Sequence, residues 1–277
     1  MKGVILAAGK GTRMQELSED KPKVLLKVGG RSPLEHIISG MKKAAIDEII
    51  IVIGYKGEQI RAELGDGSSL GVEIEYLEQS LDKYGTAYAL SLAEDLVKDS
   101  FMLSFGDIIL AEDNYRNLYE KYKFSNYLLS RDQAVETGQL QARTKSQQTD
   151  KINEAAEKMQ KRHVEAVLSL NWVKDPSSGG AVYLDEQGMV KRIVEKPEAG
   201  RSSTHWNSAG IFIFSPLIFK YLKKLSKSER GEYELPGAVN LMIKDGHNVA
   251  SYKTISYWQD LATPDNYQQI NEVLAEE

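Results

Sequence analysis

The sequence predicts an α/β fold: a mostly parallel mixed sheet with helices on both faces. Three observations lead there. Short apolar runs at 4–7, 49–53 and 101–105 have the length of strands, and the β-branched run 49–53 suits a strand buried on both faces. Stretches with apolar residues at helical spacing lie between them, giving the β-α rhythm of a parallel sheet. The 277 residues, 42% of them hydrophobic, suffice for one large globular domain over 1–277.

The first strand, VILA at 4–7, stops at a Gly-rich turn. Ser32-Pro33 marks a helix start, because Pro suits the first turn; Leu34, Ile37, Ile38 and Met41 then share a face. Residues 49–53 form the second strand and 57–64 a helix. Val72, Ile74 and Tyr76 alternate as a strand, and Ala87, Leu90, Ala93 and Val97 make another helical stripe. The strand 101–105 ends at Gly106-Asp107. Beyond it, strands are expected at 164–170, 180–184, 190–194, 209–214 and 249–252, with helices at 217–225, 235–244 and 264–275. In such Rossmann-like sheets ligands sit at the carboxyl ends of strands, where the glycine turn and Asp107 both fall.

One segment breaks the rhythm. Residues 125–162 are rich in Gln, Thr, Lys and Glu and poor in strand formers. An atypical polar or helical insert is expected there, a mobile surface excursion in which Ile152, Ala155, Ala156 and Met159 line a small amphipathic helix. A lid or an oligomer contact is the functional alternative.

The net charge of −5 argues against general nucleic-acid binding, which needs a broad basic face. Cations for any anionic ligand must be concentrated in a pocket. The chain has no cysteine, which excludes disulfides and thiolate chemistry and fits a cytoplasmic protein. The apolar run at the start is too short for a signal peptide, and the run around residue 50 too short to span a bilayer. No membrane partner is therefore expected, and a homo-oligomer is compatible with everything above. The four histidines lack metal-ligand spacing, and no G-x-S-x-G elbow appears.

Chemistry concentrates at the first turn, LAAGKGTRM from Leu6 to Met14. Glycines let backbone N–H groups approach phosphate oxygens, and Arg13 adds a planar fork of donors. The loop is neither a P-loop, since Lys10 precedes the second glycine, nor a dinucleotide fingerprint, since Met14 stands where a third glycine belongs. Taken alone it reads equally as a phosphate cradle or an ordinary strand-to-helix turn. Pro22-Lys23-Val24-Leu25 follows, and the pair of motifs resembles the signature of the sugar-1-phosphate nucleotidylyltransferases. Those enzymes join a nucleoside triphosphate to a sugar phosphate. Further matches recur in order along nearly the whole chain.

The resemblance implies roles residue by residue. Leu6, Ala8, Gly9, Gly11 and Thr12 form the nucleotide-binding loop, and Arg13 and Lys23 contact the triphosphate. Gln79, before KYGTAYAL, reads the base edge of a pyrimidine, with Gly85 and Thr86 packed beside it; the residues themselves read as well as a polar strand end with an N-cap threonine. Asp107 is the first ligand of a Mg²⁺ ion, and Asp260, in the W-x-D segment, the second; Ala262 stands where the family usually has glycine. Two carboxylates suffice, because Mg²⁺ takes most of its other ligands from water and substrate phosphates. Glu195 contacts sugar hydroxyls and Lys196 the sugar phosphate, while Gly180 and Asn207 hold the hexose. Glu232 to Leu235 match another family stretch and read as structural, with Pro236 near a helix start.

The implied reaction is in-line attack of a sugar-1-phosphate oxygen on the α-phosphorus, with Arg13, Lys23 and Asp107 as its catalytic residues. UTP or dTTP and a hexose-1-phosphate are the favoured substrates. A cytidylyltransferase acting on another phosphate acceptor, or a non-catalytic nucleotide- or sugar-phosphate-sensing subunit, are the alternatives.

Overall fold

The computed structural model describes residues 1–80, 83–141 and 163–275. Its strands are β1 (Gly3–Ala7), β2 (Glu48–Ile53), β3 (Glu73–Glu78), β4 (Phe101–Phe105), β5 (Ile108–Leu110), β6 (Val164–Trp172), β7 (Gly180–Leu184), β8 (Val190–Glu195), β9 (Trp206–Phe214), β10 (Asn248–Lys253) and β11 (Trp258–Asp260). The helices are α1 (Pro33–Lys43), α2 (Gly57–Leu64), α3 (Thr86–Ser91), α4 (Asp113–Gln141), α5 (Leu217–Leu222), α6 (Leu235–Lys244) and α7 (Pro264–Ala275). A nine-stranded sheet runs in the order β10-β6-β9-β4-β1-β2-β3, with β7 paired to β9 and β8 to β7. Along that path β9 alone runs antiparallel to its neighbours. The mostly parallel mixed sheet expected from the sequence is present.

Successive residues of the central strands enter opposite cores, because a strand's side chains alternate between faces. Val4, Ile50 and Val52 join one core, which α3, α5 and α6 close with Leu90, Phe219 and Met242. Ile5, Ile49, Ile51 and Ile53 join the other, closed by α1, α2 and α4 with Ile37, Leu64 and Tyr115. Both faces are dry, which is why 49–53 carries an unbroken apolar run. A third, small core of Met14, Val28, Ile109, Leu261 and Ile270 lies apart from these two.

Several elements differ from the sequence expectation. The stripe from Ala87 to Val97 is helical only to Ser91; Ala93 and Leu96 then donate to Leu90 and Ala93, so i+3 turns carry the same buried face onward. The pair β5 and β11 was not expected, since three-residue strands show no pattern of their own. Within the polar or helical insert expected from residue 125, the described residues are helical, but as the continuation of α4, which starts at Asp113 and runs on to Gln141. The helix expected around Ile152, Ala155, Ala156 and Met159 lies outside the described residues.

Ser32 and Pro33 do start α1. Ser32 Oγ accepts from Glu35 N–H at 3.3 Å, and Glu35 Oε2 accepts from Ser32 N–H at 2.6 Å. This reciprocal pair satisfies two donors that the first turn leaves free. Ser32 is buried, so no water replaces its hydroxyl. Ser32→Ala will lower stability by about 1 kcal/mol, read as a reduced urea midpoint at unchanged m-value.

Candidate active site

β1 and β4 are parallel neighbours that end together, with Leu6 opposite Phe105. The glycine loop and Asp107 therefore leave the sheet side by side. Gly11 sits at φ +65°, a left-handed conformation that turns the chain into a short 3₁₀ helix, Thr12–Ser18. Lys23 opens a second such turn, Lys23–Leu25, and its Nζ donates to Asp107 Oδ2. Both side chains are mostly shielded, at 13% and 24% exposure, so water screens the pair less than it would a surface one.

Asp260 arrives through the short ladder β5–β11, which sets it opposite Ile108, while Leu261 N–H donates to the Asp107 carbonyl at 2.8 Å. Burial pushes the Asp260 carboxyl above its ordinary range, and the negative Asp107 pushes the same way; Lys23 and Arg13 pull against them. Two carboxylates and two cations thus share one electrostatic neighbourhood.

A second set of groups comes from β7, β8 and β9. Antiparallel pairing places Gly180 opposite Glu195 and Ala181 opposite Asn207. Lys196 N–H donates to Gly179 O at 2.8 Å, and Lys196 holds φ +44°, uncommon for a residue with a Cβ. Asn207 is buried, and its Oδ1 accepts from no group. Burial raises the Glu195 carboxyl, against the pull of Arg230 and then Lys196.

A cleft of about 620 Å³ unites the two sets: its walls include Arg13, Thr86, Asp107 and Asp260, together with Gly180, Glu195, Lys196 and Asn207. That volume is ordinary for a small-ligand pocket. Lys23 joins through its bond to Asp107. Leu6, Ala8, Gly9, Gly11, Thr12, Gln79 and Gly85 do not form its walls. Gln79 is buried, with its amide donating to Lys83 O at 2.9 Å. Gly85, not Thr86, caps α3: at φ +125° it lies so close to the Tyr233 backbone that a Cβ would fall 2.2 Å from the Tyr233 carbonyl oxygen. Thr86 Oγ1 accepts instead from Leu235 N–H at 3.1 Å.

Three features escape sequence reasoning. Arg230 lines the cleft and grips Glu234 through Nε at 2.9 Å and Nη2 at 2.6 Å, with Glu195 3.4 Å away. A single cation in a polar loop has no spacing to announce it; its place just before the EYEL stretch was the only signal. Glu232, Glu234 and Leu235 likewise line the cleft, a place that sequence reasoning did not assign to that stretch. Gly179 is the tighter of two adjacent glycines, since a Cβ there would come 2.5 Å from Asn207 Oδ1.

Comparison with known proteins agrees. The nucleotidyl transferase family model matches residues 2–130 and 143–277, and its gap falls inside the expected insert. The low-salt glycan biosynthesis nucleotidyltransferase Agl11 of Haloferax volcanii is 30% identical across 100% of this chain and 67% of its own length. The UTP–glucose-1-phosphate uridylyltransferase AglF of the same organism is 29% identical over 100% of this chain and 98% of its own. The chain spans only 52% of the bifunctional protein GlmU of Methanococcus aeolicus, at 31% identity over 95% of this chain. A Bacillus anthracis crystal structure described as a candidate glucose-1-phosphate thymidylyltransferase, in complex with sucrose, superposes with a TM-score of 0.79 at 25% identity, covering 100% of this chain and 96% of that one. The chain belongs to the nucleotidyl transferase family, as its sugar-1-phosphate nucleotidylyltransferase motifs imply. No helix among the described residues is long and apolar enough to cross a membrane.

Arg230 holds the Glu195 carboxyl down against its burial. Arg230→Ala will therefore move the Glu195 titration midpoint upward, and Arg230→Lys will move it less, as followed by carboxyl ¹³C NMR.

Proposed function

We propose that this chain transfers a nucleotidyl group from UTP or dTTP to a hexose-1-phosphate, giving a nucleoside diphosphate sugar and pyrophosphate. The observation that carries this reading is the single cleft, which offers Arg13, Asp107 and Asp260 on its walls together with Glu195, Lys196 and Asn207. The physical problem is to bring two polyanions together. Arg13 and Lys23 offset the charge of the triphosphate, and Lys196 holds the incoming phosphate as a point charge. That phosphate is already ionised at neutral pH, so no general base is needed. Catalysis rests on positioning and charge.

The acceptor sugar is supported by Asn207, whose buried, unpartnered Oδ1 gains a donor when a sugar hydroxyl reaches it. Glu195 serves the same purpose. Gln79 keeps its amide nitrogen on Lys83, which leaves its oxygen to accept from the N3–H of uracil or thymine. AglF and the Streptomyces griseus glucose-1-phosphate thymidylyltransferase, 25% identical over 100% of this chain and 66% of its own length, bracket the choice between uracil and thymine.

Asp107 and Asp260 suit Mg²⁺: both donors are hard oxygens, and their mutual repulsion, which raises Asp260, is relieved by a cation. Among the described residues no cluster of three or more such groups competes with them. When bound, Mg²⁺ would neutralise charge developing on the phosphates. On this reading 1–277 works as one nucleotidyltransferase domain in the cytoplasm, where nucleoside triphosphates are made.

The test is a matrix of nucleoside triphosphates against sugar-1-phosphates with Mg²⁺, scored for pyrophosphate. UTP or dTTP with glucose-1-phosphate is expected to give the strongest signal; ligand binding without turnover anywhere in the matrix would refute an enzyme. Asp107→Asn should cut turnover by about 10²–10³-fold while leaving the circular dichroism spectrum unchanged.

A further inference from the structure

The chain between Arg13 and Lys23 includes a stretch, residues 19–22, that belongs to neither helix nor strand. Its last turn bond is Glu19 N–H to Glu16 O, and the next begins only at Leu25 N–H to Pro22 O. What holds this stretch is a neighbouring helix. Lys56 Nζ donates to the Glu19 carbonyl, Gln59 Nε2 donates to the Asp20 carbonyl at 3.0 Å, and Glu63 meets Lys21 at 3.0 Å. Three consecutive residues of the loop are thus met in order by residues spaced three and four apart, which a helix places along one face.

Two further observations point to a built support. Lys56 caps α2 in the left-handed conformation, at φ +54°, which a residue with a Cβ adopts only where its surroundings impose it. And α2 is itself fastened to the sheet edge: Arg61 pairs with Glu78 at 2.8 Å, Tyr76 Oη donates to Gly65 O at 2.7 Å, and Ile60 and Leu64 are buried. The Lys21–Glu63 side chains are 36% and 33% exposed, and an ion pair of this kind contributes little. The two bonds to backbone carbonyls are exposed as well, so the number and order of the contacts along the stretch, not the strength of any one, fix its path.

We propose that Lys56 and Gln59, with Glu63 in support, are positioning residues for the triphosphate: they fix the stretch that delivers Lys23 to Asp107. The inference rests on the function proposed above. A cation displaced by a fraction of an ångström loses alignment with the phosphates it serves, while the acceptor sugar, held by β7 to β9, is untouched.

The test combines Lys56→Met and Gln59→Leu, which keep bulk and remove both donors, with Lys56→Arg as the conservative control. In the ligand-free double variant, amides of 19–23 are expected to exchange hydrogen faster, with the remaining amides and the thermal midpoint unchanged. The KM for UTP and the Kd for inorganic pyrophosphate with Mg²⁺ should both rise about tenfold, the effect of one or two lost hydrogen bonds. The KM for glucose-1-phosphate should hold, and Lys56→Arg should behave as wild type. Unchanged exchange at 19–23, or an equal rise in the sugar-phosphate KM, overturns the inference even if the wild type is active. Faster exchange with a wild type that neither turns over nor binds pyrophosphate would instead condemn the proposed function, and the inference with it.

Discussion

The rest of this molecule depends on keeping opposite charges crowded at the carboxyl ends of two central strands. Lys23 and Asp107 are paired there, and both, with Arg13, lie close enough to act on the Asp260 carboxyl. Charges alone cannot specify such an arrangement, because partly solvated pairs contribute little and tolerate many geometries. Apolar residues specify it instead. Met14 follows Arg13, Leu261 follows Asp260, and Ile109 lies two places after Asp107, and all three meet in the third core with Val28 and Ile270. Each charged side chain is thus aimed by a dry neighbour in its own chain. That core is small, and α7 supplies Ile270 to it while its Asn266 lines the cleft, so this helix bears on the site both through the core and directly.

The half of the cleft built from β7, β8 and β9 uses a different device. Gly180, Glu195 and Asn207 converge through backbone pairing of β7 with β8 and β9. Side chains there inherit the precision of a hydrogen-bonded ladder. Lys196 departs from it: its left-handed backbone turns the chain just after β8, while its N–H stays bonded to Gly179 O. Residues held in such conformations persist where their surroundings over-determine them, and here the ladder on one side and Pro197 on the other do so.

Much of this was legible in the sequence, for particular reasons. Strands such as 49–53 and 101–105 were readable because both sheet faces are buried, leaving unbroken apolar runs. Helix α1 was readable from Ser32-Pro33, whose chemistry is local. Asp107 was readable from its place after a strand, and Lys196 and Asn207 from motif resemblance. What failed depended on contacts between distant segments. β5 and β11 exist only because they find each other, and neither carries a pattern alone. Arg230 reaches the cleft from a loop and is bonded to Glu234 at the α6 start, and Gln79 and Gly85 do not form the cleft walls. The helical stripe ending at Val97 misled because turns and helix can bury the same spacing.

Strand β3 ends the strand path of the nine-stranded sheet and presents Glu73 and Glu75 to solvent, while Glu78 is paired with Arg61. An uncovered strand invites another chain to continue the ladder. A second copy approaching along this border would bring glutamate against glutamate across a strand spacing of about 4.8 Å, where like charges repel. Among the described residues no strand pairs with the outer side of β3, so like charge is what this border sets against continuation of the sheet.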